Sequence, residues 1–351
     1  MDTTLANGGS EQLFPATGVA FVVALAATWL VLAMARRFPQ LLDRPNRRSS
    51  HMRPTPTLGG VGIVVGTWAG FASLLSWEPF QRSFEPLLWP LSASTGVLLL
   101  SALDELKQLK VLQKLALQVG AATIIVGTGL RLNGLVLPWV GFELSPAIIT
   151  ILTIAWIVFF TNVFNFMDGI DGISVTQTGS AGAWLALILF GLGSPLWLAP
   201  AVLVAAALGF AVFNFPPARI FMGDVGSHFL GFTFAVLSIV AHNAGLPLWL
   251  FAAIFGCYLF DSVYTIVRRL SRGENILEAH RSHLYQRLVQ KKLWSHGQVC
   301  VAILLMTLLL GAAVYTAINT SSALSAALFA AAALLLIACA VWLSDRDPKL
   351  E

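Results

Sequence analysis

Residues 14–37 read FPATGVAFVVALAATWLVLAMARR, an uncharged run over 14–35 closed by Arg36-Arg37. A helix of about 20 apolar residues crosses the hydrocarbon core of a bilayer, so this stretch decides the fold class. No basic residue precedes the run and two follow it, the reverse of a cleaved secretory leader, so it is expected to persist as an anchor. Runs of the same kind recur at 58–77, 87–103, 112–130, 146–163, 175–192, 196–213, 227–242, 245–267, 298–318 and 321–343. The chain therefore reads as an all-α integral membrane protein with about eleven transmembrane helices, the seventh and eighth short or interrupted by Gly and Pro. Residues 1–351 form a single polytopic membrane domain.

Composition agrees. Of 351 residues, 57% are hydrophobic and 11% charged, against roughly 25% charged in soluble domains, and the mean hydropathy is +0.79. Cys257, Cys300 and Cys339 lie in or beside apolar runs without a CxxC pair, which points to small core residues rather than a disulfide or zinc framework. The pI near 9.1 follows from where the charges sit along the spans, and no nucleic-acid partner is expected.

Basic residues set the orientation. With the N-terminus outside and the C-terminus in the cytoplasm, only Arg82 and Arg131 of the 21 Lys and Arg residues fall on the outer side, as the positive-inside rule requires. The outer segment 131–144 carries Asn133-Gly134 and Pro138, turn signals for a short periplasmic hairpin.

Four inner loops carry unusual polar residues. They contain Asp104-Glu105, then Asn162-x-x-Asn165-x-x-Asp168-Gly169-Ile170-Asp171-Gly172, then Asn214 to Ser227 with Phe221, Gly223 and Asp224, then His280-Arg281-Ser282-His283. Five carboxylates converging on one membrane face are costly unless a cation binds there. Carboxylates beside phosphate ligands suit Mg²⁺, which takes one or two protein oxygens and leaves the rest to water and phosphate. The Gly223–Ser227 stretch opens a helix, where backbone N–H groups favour phosphate. Each motif alone has a plainer reading: a turn or weak calcium loop for DGxDG, a helix N-cap for Gly223–Ser227, a solvated interfacial loop for Asp104-Glu105. His280 and His283 would share a helical face with Arg287, as a phosphate-binding surface or as juxtamembrane charge for anionic lipid. Asp261 lies within the ninth span. It either pairs with a nearby Arg or forms the floor of a site, the default for an intramembrane acid.

Taken in order, from Asp43 through Gln286, these motifs resemble the polyprenyl-phosphate N-acetylhexosamine-1-phosphate transferases, and most of all the bacterial enzymes that initiate O-antigen and similar surface glycans. The resemblance implies roles residue by residue. Asp104-Glu105 matches the family's paired aspartates, with Glu in the second place, and Lys114 the lysine that accompanies them. Asn162, Asn165, Asp168 and Asp171 match the motif that holds the nucleotide, Phe221 the aromatic that stacks on uracil, and Asp224 the magnesium ligand. Thr57 lies in the matching substrate-side loop, His280 and His283 end the histidine motif, and Asn214, Gly223 and Arg281 join the nucleotide-sugar contacts. Asp261 is a lipid-site candidate. The histidine motif reads His-Arg-Ser-His rather than the His-His-His of the peptidoglycan branch.

The implied reaction is attack by undecaprenyl phosphate on the β-phosphorus of a UDP-N-acetylhexosamine, releasing UMP, with Mg²⁺ or Mn²⁺ as cofactor. Lys114, His280, Arg281 and His283 would offset negative charge. Asp104 is the candidate base, although a phosphate monoester is largely ionised at pH 7 and Asp104 could instead position it. The expected setting is the bacterial inner membrane with the site on the cytoplasmic face, and the many small residues on the helices are compatible with a homodimer. A polytopic transporter or lipid-linked-sugar flippase is the main rival. Transporters place binding groups near the midplane and show internal repeats, whereas here the polar groups gather at one surface and no repeat is visible.

Overall fold

The computed structural model describes residues 3–35, 37–38, 41–43, 54–102, 110–137, 140–276, 278, 280–320 and 323–345. Asp104 and Glu105 lie outside the described residues. Thirteen α-helices are described: α1 (Thr3–Ala35), α2 (Gly60–Leu74), α3 (Glu78–Ala102), α4 (Val111–Gly127), α5 (Pro146–Phe166), α6 (Ile173–Gly191), α7 (Leu198–Asn214), α8 (Gly223–Asn243), α9 (Leu248–Ile254), α10 (Gly256–Ser271), α11 (Leu284–Gln290), α12 (His296–Asn319) and α13 (Ala323–Asp345). The chain is an all-α polytopic membrane protein. Seven helices are long and apolar enough to cross a bilayer, and the bent pair α9–α10 makes an eighth. The second, third and fourth expected spans correspond to α2 and α4, which have 15 and 17 residues, and to α3, whose first turns carry Glu78, Arg82 and Glu85.

The interruption expected in the seventh and eighth spans falls in the ninth instead. Pro200 sits in the first turn of α7, where its missing N–H removes a donor that has no intrahelical partner anyway. The glycines of α7 and α8 admit neighbours rather than breaking the helices. A Cβ on Gly209 would meet the Phe21 carbonyl oxygen, and one on Gly231 would meet Phe164 and Thr161. The ninth span bends by 89° between α9 and α10. Beyond the bend, α10 buries Tyr258, Asp261, Ser262, Thr265 and Arg269 and exposes Phe260, Val263, Val267 and Leu270. That two-faced pattern suits a helix lying against protein on one side.

At the centre runs α8, 94% buried over its apolar window, against 17% for α13 at the periphery. α5 packs along α8, α1 against α2 and α7, and α12 against α13 and α6. An aromatic stack of Phe160, Phe164, Phe234, Phe251 and Phe255 fills the space between α5, α8 and α9. The expected hairpin is present: β3 (Leu135–Leu137) pairs antiparallel with β4 (Val140–Phe142). Another two-residue pairing joins β1 (Leu42–Asp43) to β2 (Thr55–Pro56).

Candidate active site

Helical periodicity builds the centre of the site from three faces. On α4, Lys114 and Gln118 are four residues apart; on α5, Asn162 and Asn165 are three apart; on α8, Asp224 and His228 are four apart, so each pair projects from one side of its helix. The three faces meet. Lys114 Nζ donates to Asp224 Oδ2 at 2.8 Å, and Asn165 Nδ2 donates to Asp224 Oδ1 at 2.9 Å and to Ser227 Oγ at 3.0 Å. One turn deeper, Asn162 Nδ2 donates to Gln118 Oε1 at 2.5 Å, and Gln118 Nε2 lies 3.3 Å from His228 Nε2. The upper layer remains reachable, with the Lys114 and Asp224 side chains 29% and 25% exposed. The lower layer is buried at Gln118 and His228 and holds the upper one in register. Gln118 and His228 are not among the residues expected from sequence; their spacing from Lys114 and Asp224 was the available signal.

The acidic loop after α5 is fixed from several directions. Gly172 takes φ +79° at the start of α6, a left-handed conformation open to glycine, and its N–H donates to Asn214 Oδ1 at 3.1 Å. Asn214 in turn donates to the Ile220 carbonyl at 2.9 Å, so it ties two predicted loops together through their backbones. Asp171 accepts from the Ala218 N–H at 3.0 Å and lies 3.3 Å from His296 Nδ1 at the start of α12. His296 is also absent from the sequence-based set, since nothing in a lone histidine 125 residues away marks it as a partner.

The loop bearing Phe221 is braced by the segment bearing Thr57. The Phe221 N–H donates to the Pro56 carbonyl at 2.8 Å, and the Gly59 and Gly60 N–H groups donate to the Phe221 and Met222 carbonyls at 2.9 Å each. A Cβ on Gly60 would fall on the Gly226 backbone, so the start of α2 sits directly against the start of α8. Thr57 itself donates its N–H to the Leu41 carbonyl at 2.9 Å. Phe221 and Gly223 are half-buried beside Asp224.

The histidine loop reaches the same end of the bundle. The Tyr285 hydroxyl donates to the Phe166 carbonyl at 2.9 Å, and a Cβ on Gly169 would collide with that hydroxyl. Thus the loop closes over the DGxDG turn. His280 and His283 do not sit on a helix with Arg287. They precede α11, and His283 at its N-cap is extended (φ −58°, ψ 147°), while Arg287 is buried and turned toward the end of α13. The two imidazoles still stack, with ring centroids 5.0 Å apart. Burial, then His283 and Arg269, pull His280 down to about 4, so its ring is neutral near pH 7 and offers nitrogen donor and acceptor positions. Burial raises the Tyr285 hydroxyl well above its ordinary range, which keeps it a hydrogen-bond donor. The Arg281 carbonyl accepts from Gln290 at 3.0 Å.

Asp261 forms the floor of this loop. Its Oδ1 accepts from the Leu284 N–H at 2.8 Å, Thr265 Oγ1 at 3.0 Å and His283 Nδ1 at 3.1 Å, and Oδ2 accepts from the Tyr285 N–H at 3.0 Å. Considered as a lipid-side residue, it is 5% exposed and engaged with the protein's own donors.

These bonds bring Lys114, Asn165, Asp224, Asp171, Asn214, Phe221 and the histidine loop to one end of the helices. Among the described residues, no group of three or more His, Cys, Asp or Glu is arranged to hold a metal by itself. Asp224, a hard oxygen donor at a helix start with a cation and an amide already on it, suits an ion that takes most of its ligands from phosphate and water.

Residues 87–242 match the family model described as glycosyl transferase family 4. Over 281 residues the chain is 31% identical to the probable undecaprenyl-phosphate N-acetylglucosaminyl 1-phosphate transferase of Bacillus subtilis, covering 77% of this chain and 76% of the relative. The chain belongs to glycosyl transferase family 4. Within it, the chain is 30% identical to the decaprenyl-phosphate N-acetylglucosaminephosphotransferase of Mycobacterium tuberculosis, over 82% of this chain and 78% of that one. It is 28% identical to the phospho-N-acetylmuramoyl-pentapeptide-transferase of Lactobacillus helveticus, over 88% and 99%. This membership makes it a polyprenyl-phosphate sugar-1-phosphate transferase family protein and a multi-pass membrane phosphosugar transferase. The family-model match contains Lys114, Asn162, Asn165, Asp168, Asp171, Phe221 and Asp224, and ends before Asp261 and the histidine loop.

Proposed function

We propose that the protein transfers an N-acetylhexosamine-1-phosphate, with N-acetylglucosamine as the first choice of sugar, from its UDP conjugate to undecaprenyl phosphate. UMP is released, and the lipid diphosphate sugar starts an O-antigen or related surface glycan. The observation that carries this reading is the Asp224 cluster, in which α4, α5 and α8 supply a cation, an amide and a carboxylate at one reachable helix end. The relatives named for N-acetylglucosamine support the sugar, and the His-Arg-Ser-His motif supports a surface-glycan role.

Both substrates are anions, so stabilisation of developing charge is the main demand on the site. The first N–H groups of α8 would bind phosphate, with Lys114 within reach once the donor diphosphate competes for its ammonium. Asn162 and Asn165 orient the nucleotide side from α5. Asp171 holds its loop to the segment after α7 and to the start of α12, Asp168 lies in the same loop, and His280, Arg281 and His283 would complete the site from the loop that closes over it. A magnesium ion held by Asp224 would supply neutralisation of the donor diphosphate. The exposed stripe Phe260, Val263, Val267 and Leu270 on α10 offers the prenyl tail an apolar path toward the histidine loop. We place the site on the cytoplasmic side of the bacterial inner membrane, following the distribution of basic residues.

The test is a panel of radiolabelled UDP-GlcNAc, UDP-GalNAc and their 6-deoxy analogues with undecaprenyl phosphate and Mg²⁺. Organic-soluble label from UDP-GlcNAc, with stoichiometric UMP, is expected. Label extracted without UMP, or none from any donor, overturns the reading.

A further inference from the structure

A seven-residue helix has little stability of its own, yet α11 must present the two histidines. It is pinned at both ends. At its start, Asp261 takes the otherwise unpartnered N–H groups of Leu284 and Tyr285. Along its far side, Arg287 Nη2 donates to the Ser344 carbonyl at 3.0 Å and bonds the Asp345 carboxylate. Lys291 Nζ donates to the same Ser344 carbonyl at 2.7 Å, and the Tyr264 hydroxyl of α10 donates to Asp345 Oδ2 at 3.1 Å. Ser344 and Asp345 close α13, where unpaired carbonyls concentrate the negative end of the helix dipole. Two cations from α11 and the turn after it therefore meet a carboxylate and a helix C-terminus together. Arg287 is buried, and its Nη2 is engaged in this contact. All of it lies beyond the stretch matched by the family model.

We propose that the C-terminal end of α13, through Asp345 and the Ser344 carbonyl, is a positioning clamp that sets His280 and His283 over the acidic loops by fixing α11. The clamp rests on the proposed function, in which the histidine loop acts on substrate phosphate. Asp345 touches no reacting atom; it acts through Arg287 and the seven-residue helix between that arginine and His283.

The experiment uses the full chain in lipid nanodiscs, with UDP-GlcNAc and undecaprenyl phosphate for kinetics and hydrogen–deuterium exchange read in parallel. Asp345→Ala and Arg287→Ala are each expected to lower kcat about tenfold through misplaced histidines, with KM for UDP-GlcNAc held within about twofold. Exchange should rise across 284–290 and stay unchanged in α8. Asp345→Glu, which keeps the charge, should return both kcat and protection toward wild type, and the exposed-pair variant Arg82→Ala should change neither. Unchanged exchange at 284–290 in Asp345→Ala overturns the proposal. So does exchange rising in α8 as well, which would mark general loosening, or a Glu variant as impaired as Ala. If the wild type releases no UMP from any donor, the functional reading fails, while the exchange data still decide whether α13 holds α11.

Discussion

The two ends of α8, separated by about 30 Å for a helix of this length, are both polar and are wired differently. At the C-terminal end, side chains satisfy backbone. Asn243 accepts from the Asn133 N–H at 3.2 Å and donates to the Arg131 carbonyl at 2.9 Å, and His242 Nδ1 accepts from the Leu248 N–H at 3.2 Å. At the N-terminal end, side chains satisfy one another, through Lys114, Asp224, Asn165 and Ser227. Side chain to backbone bonds fix the course of a chain, here the β3–β4 hairpin against α8. Bonds among charged and amide side chains hold groups that a ligand can redistribute without unfolding anything. The same residue types thus make a buttress at one end and a candidate active site at the other.

The most damaging way to break this contrast is at Lys114. Lys114→Met is expected to lower kcat by roughly 10²–10³, the scale of losing one charged stabilising contact, in a UMP-release assay, with the thermal midpoint little changed. Next comes Gly169→Ala, whose methyl would strike the Tyr285 hydroxyl and cost about 1–3 kcal/mol by overpacking. Thermal unfolding measures that loss, and adding Tyr285→Phe should recover part of it.

The histidine loop makes the active-site end of the molecule sensitive to pH. His280 is held down at about 4 by burial, His283 and Arg269, against about 6.5 in an unfolded chain. Between those values the unfolded state binds the extra proton, so stability is full above about pH 6.5 and declines as pH falls toward 4. His280→Asn should flatten the acid side of a midpoint-versus-pH curve. The smallest effect belongs to the buttress: Asn243→Ala should cost about 1 kcal/mol and leave kcat and KM unaltered.

Much of this was legible in sequence because it is local. Uncharged runs of membrane length, turn residues at Asn133-Gly134, and the i+3 and i+4 spacing of site residues each state a structural fact within a few positions. The 89° bend in the ninth span was not legible. No proline marks it; Gly256 sits at the break, and the amphipathic helix that follows packs against α5, α11 and α12, which are distant in the chain. Partners distant in the chain were likewise hidden: His296 for Asp171, and Asp345 for Arg287. Arg287 aligns with the two histidines only if a helix runs through His280, and the extended backbone at His283 removes that alignment. Asp261, readable from sequence as either an ion-pair partner or the floor of a site, accepts from the Leu284 and Tyr285 amides and lies against His283.

The most direct test of the central claim compares Asp224→Asn with wild type for Mg²⁺-dependent UMP release in nanodiscs holding undecaprenyl phosphate and UDP-GlcNAc. With Asp224 as the residue that holds the ion, wild-type release rises with Mg²⁺ and needs both substrates, and the variant loses that dependence along with nearly all turnover. Undiminished Mg²⁺-dependent release by Asp224→Asn would contradict that role.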